Sequence, residues 1–216
     1  MKKLCVICFA LLTSISIAQV RMYVTINGQR VGQAVAFQKV LPDGGKRVQL
    51  SMNLAGPNGA TITLRMESTY DAKGGPLRKF EESLTSSPRK RRTVTVTFDK
   101  KTANVIEEKD GVRTMKSVPL VASAPTESKS EWWFLRDTPK LGDVDKYYHF
   151  NISNLEWSLR TTIYGGLKTI TVGGKKVQAH ELKQSEGTAY VDAQGLPYRL
   201  VIGQIQLERI PAGTGG

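Results

Sequence analysis

The chain has 216 residues, of which 31 are Lys or Arg and 19 are Asp or Glu, leaving a formal charge of +12 at pH 7. Its two cysteines and two histidines are too few for a multi-disulfide framework or a three-histidine metal centre. A chain of this length can bury a core without disulfide support, so a small stapled scaffold is excluded.

In chain order, residues 1–18 read as a secretory signal. Lys2 and Lys3 form the charged start, Leu4 to Leu12 an uncharged apolar run, and Ser16 and Ala18 the small residues before a cut at Gln19. The run is shorter than the roughly twenty apolar residues of a membrane-spanning helix, so no transmembrane span is expected in the mature chain. Cys8 lies ahead of most of that run, too early for a lipid-bearing cysteine. Cleavage removes both cysteines, and the loss of Lys2 and Lys3 lowers the charge from +12 to +10. The expected home is the bacterial periplasm or the exterior. There the positive surplus suits anionic lipid headgroups or acidic polysaccharide, or simply keeps the surface solvated. Nucleic acid is not an expected partner.

From Gln19 onward apolar residues recur at every second position. Val20, Met22, Val24 and Ile26 lead to an Asn27-Gly28 turn, and Val48, Leu50, Met52 and Leu54 lead to Pro57-Asn58-Gly59. Ile62, Leu64 and Met66 resume the pattern, and Val94, Val96 and Phe98 repeat it. Such alternation marks antiparallel sheet with one packed face. The fold expected over residues 19–210 is a single, strongly curved antiparallel sheet of about ten or eleven strands, a half-barrel.

Two segments repeat a turn design. Asp71-Ala72-Lys73-Gly74-Gly75-Pro76 follows Tyr70, and Asp192-Ala193-Gln194-Gly195-Leu196-Pro197 follows Val191. Asp can accept from its own turn amides and Gly can take a positive φ, so both read as hairpin tips. Leu196, Tyr198, Leu200 and Ile202 share a parity that Ile205 and Leu207 break, which suggests a β-bulge at Gly203. Residues 119–142 change texture and read as a crossover or lid, and residues 211–216 as a flexible tail.

No catalytic motif stands out. His149 and His180 fall in no metal-ligand or nucleophile pattern, no Gly-x-Ser-x-Gly elbow occurs, and no cofactor is implied. Trp132, Trp133 and Phe134 are consecutive, so an extended segment cannot turn all three toward one core. They plug the core, line a ligand groove or contact a partner. Met52, Met66, Tyr148, Phe150 and Trp157 are candidates for the same inner face. Arg89, Lys90, Arg91 and Arg92 form the densest charge run, suited to anionic headgroups or to keeping a hairpin soluble.

The export signal, the alternating strands, the aromatic crossover and the Asp-x-x-Gly tips together resemble the periplasmic half-barrels of the LolA/LolB type and related secreted proteins. The resemblance implies a curved sheet around short lid helices and an interior that accepts acyl chains. It departs from the acyl-chain carriers in offering a lid helix only within Glu127 to Leu135. The leading expectation is a non-enzymatic exported protein that binds a lipid or lipoprotein acyl chain. The alternative is a structural or adaptor module of the envelope with a protein partner, and an exported hydrolase comes third.

Overall fold

A computed structural model describes residues 17–99, 101–122 and 132–211. The signal-like residues 1–16, most of the Glu127 to Leu135 stretch and the tail beyond Pro211 lie outside them.

The described chain forms one antiparallel sheet of fourteen strands. The first eight are β1 (Ile17–Ile26), β2 (Gln29–Val40), β3 (Lys46–Ala55), β4 (Thr61–Tyr70), β5 (Pro76–Ser86), β6 (Arg89–Asp99), β7 (Thr102–Lys109) and β8 (Val112–Pro119). After a connection carrying the single helical turn α1 (Trp133–Arg136) come β9 (Val144–Asn151), β10 (Glu156–Val172), β11 (Lys175–Gln184), β12 (Gly187–Val191), β13 (Pro197–Ile202) and β14 (Ile205–Arg209). The hydrogen-bonded order runs from β8 down to β1, then β14 down to β9, so the chain's first and last strands pair in the middle.

Gly203 does not sit in a bulge. Residues 203–204 form a two-residue hairpin turn, with Gly203 at φ 56° and Ile202 opposite Ile205. A two-residue turn sets residues three apart facing the same way, which produces the same slip in parity as a bulge.

Register carries one face continuously across the sheet. Met22, Ala34, Met52, Leu64, Ser83 and Arg92 are successive partners in one direction. Val24, Leu207, Leu200, Ala189, Leu182 and Tyr164 are successive partners in the other. This is the inner face, and it holds one cluster around the fully buried Met22, Val24 and Ala34.

The two ends of the sheet overlap instead of pairing edge to edge. On β9 and β10 the inner face falls to Tyr147 and Arg160, so their neighbours Phe150 and Trp157 belong to the opposite face. Yet Phe150 and Trp157 pack against Val94, Val96 and Phe98, which are inner-face residues of β6. The tip of the β9–β10 hairpin is therefore tucked inside the β5–β8 end, with Phe150 buried on one face and Asp145 and Tyr147 buried on the other. Arg92 Nη2 donates to the carbonyl of Ile152 at 3.1 Å, and Lys79 Nζ lies 3.1 Å from His149 Nδ1, tying the two layers together.

Candidate functional site

Three hairpin tips gather at the end of the sheet where the β8–β9 connection crosses. In the β4–β5 tip Asp71 Oδ1 accepts from the amides of Lys73 and Gly75, both at 2.8 Å. In the β12–β13 tip Asp192 Oδ1 accepts from Gln194 and Leu196 at 3.0 and 2.9 Å. The β2–β3 tip repeats half of this design, with Asp43 Oδ1 accepting from Gly45 at 2.9 Å. Each aspartate satisfies amides that a tight turn leaves without backbone partners.

The aromatic segment seats itself among these tips. Trp132 meets Tyr70 edge-on at 6.4 Å and lies directly over Gly195, where a Cβ would come within 2.8 Å of the indole. Trp133 is 1% exposed against Tyr164, and Phe134 is 3% exposed against His180. Tyr164 Oη and His180 Nδ1 are 2.8 Å apart, and burial raises the Tyr164 phenol above its ordinary pKa of 10.0. Trp133 and Phe134 thus close the core at this end, while Trp132 and Leu135 remain half-buried.

Beside them opens a cleft of about 260 Å³, walled by Trp132, Leu135, Tyr70 and the β2–β3 and β4–β5 tips. Two cations line it. Lys46 Nζ sits 4.9 Å from the centre of the Trp132 ring. Arg136 donates to the carbonyl of Lys73 at 3.1 Å and pairs with Asp137 at 3.3 Å. Burial first, and the nearby charge of Arg136 second, hold the Lys46 ammonium below its ordinary pKa of 10.5.

Deeper on the inner face, β3 and β4 present a strip of apolar pairs: Leu50 with Met66, Met52 with Leu64, and Leu54 with Ile62. All six are half-buried, whereas Met22, Val24 and Ala34 in the adjoining strands are 0%, 1% and 1% exposed. Lys46 and Tyr70 are partners in this same ladder, at its cleft end.

The residues singled out from the sequence therefore separate into groups. Met52 and Met66 lie on the β3–β4 strip, and Trp132 borders the cleft. Trp133 and Phe134 fill the core beneath α1. Phe150 and Trp157 form an aromatic trio with Phe98 at 5.3 to 6.0 Å in the overlap, and Tyr148 shares their face by register. The basic run divides too. Arg91 pairs with Glu82 at 2.9 Å, and Arg92 pairs with Glu81 and Glu107 at 3.2 and 2.7 Å, while Arg89 and Lys90 are exposed. Lys46, Tyr70 and Arg136 were not singled out. The available signal was local: Lys46 opens a strand directly after the Gly44-Gly45 tip, and Arg136 follows the aromatics.

No cluster of metal-ligating side chains occurs among the described residues, and no helix among them is long and apolar enough to cross a membrane. No protein-family model and no curated protein matches the chain. Among solved structures it is similar to one described as a β-barrel-like protein of a domain of unknown function, DUF1849, from Brucella abortus. The TM-score is 0.56 over 91% of this chain and 96% of that one, with 11% identical residues. At that identity the likeness concerns the fold alone: a large, rolled, antiparallel sheet with a barrel-like outline.

Proposed function

We propose that the protein is exported and acts without catalysis, holding an apolar ligand against the inner face of the rolled sheet. The observation that carries this reading is the half-buried strip of Leu50, Met52, Leu54, Ile62, Leu64 and Met66. Six apolar side chains on a concave face, only half-buried beside a fully packed cluster, are the surface an apolar ligand needs. Burial of each methylene contributes about 0.8 kcal/mol, so eight of them supply about 6 kcal/mol before the cost of association. Methionine suits such a surface because its flexible thioether adapts to varied ligand shapes. The resemblance to LolA/LolB half-barrels is the reason to test acyl chains first.

Native mass spectrometry of the protein taken gently from its own envelope, then offered a lipid panel, tests the idea. Bound lipid in the wild type, lost on Leu64→Gln with folding intact, supports it. An empty protein that takes up nothing from the panel removes it.

A second reading rests on β8, which ends the sheet and leaves Val112 and Met115 67% and 72% exposed. An extended segment of an envelope protein would add to such an edge. Capture of one defined envelope protein by wild type but not by Met115→Pro favours it, and equal capture by both counts against it.

A further inference from the structure

Resting on that reading, we propose that the cleft beside α1 selects an anionic amphiphile. The carboxylate or phosphate sits between Lys46 and Arg136, and the adjoining apolar part lies on Trp132 and Leu135.

The arrangement of charge is the first argument. Lys46 is half-buried against the Trp132 ring, and among the described residues no carboxylate comes within ion-pair distance of its ammonium. The nearest acid of the cleft wall, Asp71, turns Oδ1 into its own hairpin tip, where two amides occupy it. Asp137 is already paired with Arg136. Two cations thus converge on one cleft, and burial and mutual repulsion both disfavour the charge on Lys46. An anion between them reverses both effects at once, replacing lost water with a charge-assisted contact. Arg136, held through Nε by Asp137 and through Nη1 by the Lys73 carbonyl, has Nη2 to offer as a further donor.

Shape is the second argument. Trp132 and Leu135 add apolar surface directly beside the two cations, so the cleft offers charge and apolar contact to the same ligand. At about 260 Å³ it falls just under the roughly 300–1,000 Å³ of pockets that enclose a drug-sized molecule. It therefore accommodates a headgroup and the first part of a chain. Lys46 and Tyr70 head the ladder whose inner side continues into the Leu50 to Met66 strip, so the remainder of a chain has an apolar path to follow.

The test is calorimetric titration of the mature protein with decanoate, methyl decanoate, dihexanoyl phosphatidic acid and inorganic phosphate. The expected result is that decanoate binds at least tenfold more tightly than its methyl ester, with the preference shrinking as salt is raised. Lys46→Met is expected to abolish the preference while leaving ester binding in place. Arg136→Gln, on an exposed side chain, is expected to reduce the preference on its own. Phosphatidic acid binding more tightly than decanoate identifies a lipid headgroup as the source of the anion. Displacement of decanoate by inorganic phosphate identifies a free anion instead, and either supports the site. Equal binding of acid and ester overturns the anion site but leaves the apolar reading standing. Failure of acid and ester alike overturns both.

Discussion

The indole Nε1 of Trp157 donates to the carbonyl oxygen of Val118 at 3.0 Å, joining β10 to β8, which stands at the far end of the strand order. The bond latches the overlap from inside, and the ring meanwhile packs on Phe98 and Phe150. Trp157→Phe keeps most of the ring and loses the donor, and is expected to cost about 1 kcal/mol. Trp157→Ala also empties the aromatic trio and is expected to cost about 3–5 kcal/mol. Urea unfolding measures both, and equal losses would mean that the hydrogen bond, and not the packing, carries the contribution of Trp157.

Gly195 and Gly203 both take a positive φ, at 87° and 56°, but only Gly195 has the Trp132 ring above it. Gly203→Ala meets open space and carries only the backbone cost, about 1 kcal/mol. Gly195→Ala adds a clash and is expected to cost about 2 kcal/mol or more. It should also shift tryptophan emission toward longer wavelength as Trp132 is displaced. Matching losses at the two glycines would show that Trp132 yields freely.

The basic run divides into a structural and a solvated part. Arg92 is held by Glu81, Glu107 and the Ile152 carbonyl, and its removal leaves two carboxylates partly buried without their cation. Arg92→Met is expected to cost about 2–3 kcal/mol, less than a fully buried pair because the side chain keeps some water. Lys90→Ala, on an exposed position, should change stability by no more than about 0.5 kcal/mol. A comparable effect of the two substitutions in thermal unfolding would contradict the division.

Burial raises the Glu81 carboxyl above its ordinary pKa of 4.5, outweighing the downward pull of Arg92. The folded chain then holds this proton more tightly than the unfolded chain. The group's contribution to stability is present below about pH 4.5 and declines as pH rises through the raised value. Glu81→Gln cannot lose a proton, so its stability relative to wild type should improve across that window. Urea midpoints of the two proteins from about pH 4 to about pH 8 give the difference directly. A constant gap would place the Glu81 pKa at its ordinary value.

Export makes a prediction about mass. When the chain is produced in a bacterium with a Sec pathway, the mature protein is expected to begin at Gln19 and to contain neither Cys5 nor Cys8. Intact-mass measurement of the secreted or periplasmic fraction reads this directly. A full-length product confined to the cytoplasm would remove the export reading.

The antiparallel sheet was legible because β1, β3, β4 and β6 each keep one wet face, and a half-solvated strand must alternate. The overlap was not. In β9 and the start of β10, Phe150 and Trp157 pack on the next layer, while the inward face carries Asp145, His149, Arg160 and Thr162, so here the apolar alternation points away from the inner face instead of toward it. β8 fails in another way: it is exposed at nearly every position and carries no apolar period to read. Its omission, with the reading of β13 and β14 as one strand bulged at Gly203, lowers the expected count to ten or eleven where fourteen occur.

The candidate site was legible only in pieces. Met52 and Met66 could be placed on a shared face from periodicity, since their strands follow one another with a single turn between. Lys46 and Arg136 meet only because the β8–β9 connection returns over the β2–β3 tip, and that placement depends on the whole roll of the sheet. Consecutive aromatics signalled a conflict of facing without saying how it resolves. Trp133 and Phe134 go to the core, and Trp132 is left at the cleft.

The pairing of β1 with β14 gives the fold a seam in time as well as in space. Joining the chain's ends and opening it between β8 and β9 would turn the sheet into a plain meander in which every strand pairs with its sequence neighbour. In the natural order twelve of the thirteen strand pairings join sequence neighbours, and one closes almost the entire chain upon itself. That closure carries the largest loop entropy and requires the last strand to have been made. Until Ile205–Arg209 emerges, β1 holds a bare edge ready to accept any passing strand. A nascent chain of this design therefore needs a guardian for its first strand, or a rate of synthesis quick enough to do without one.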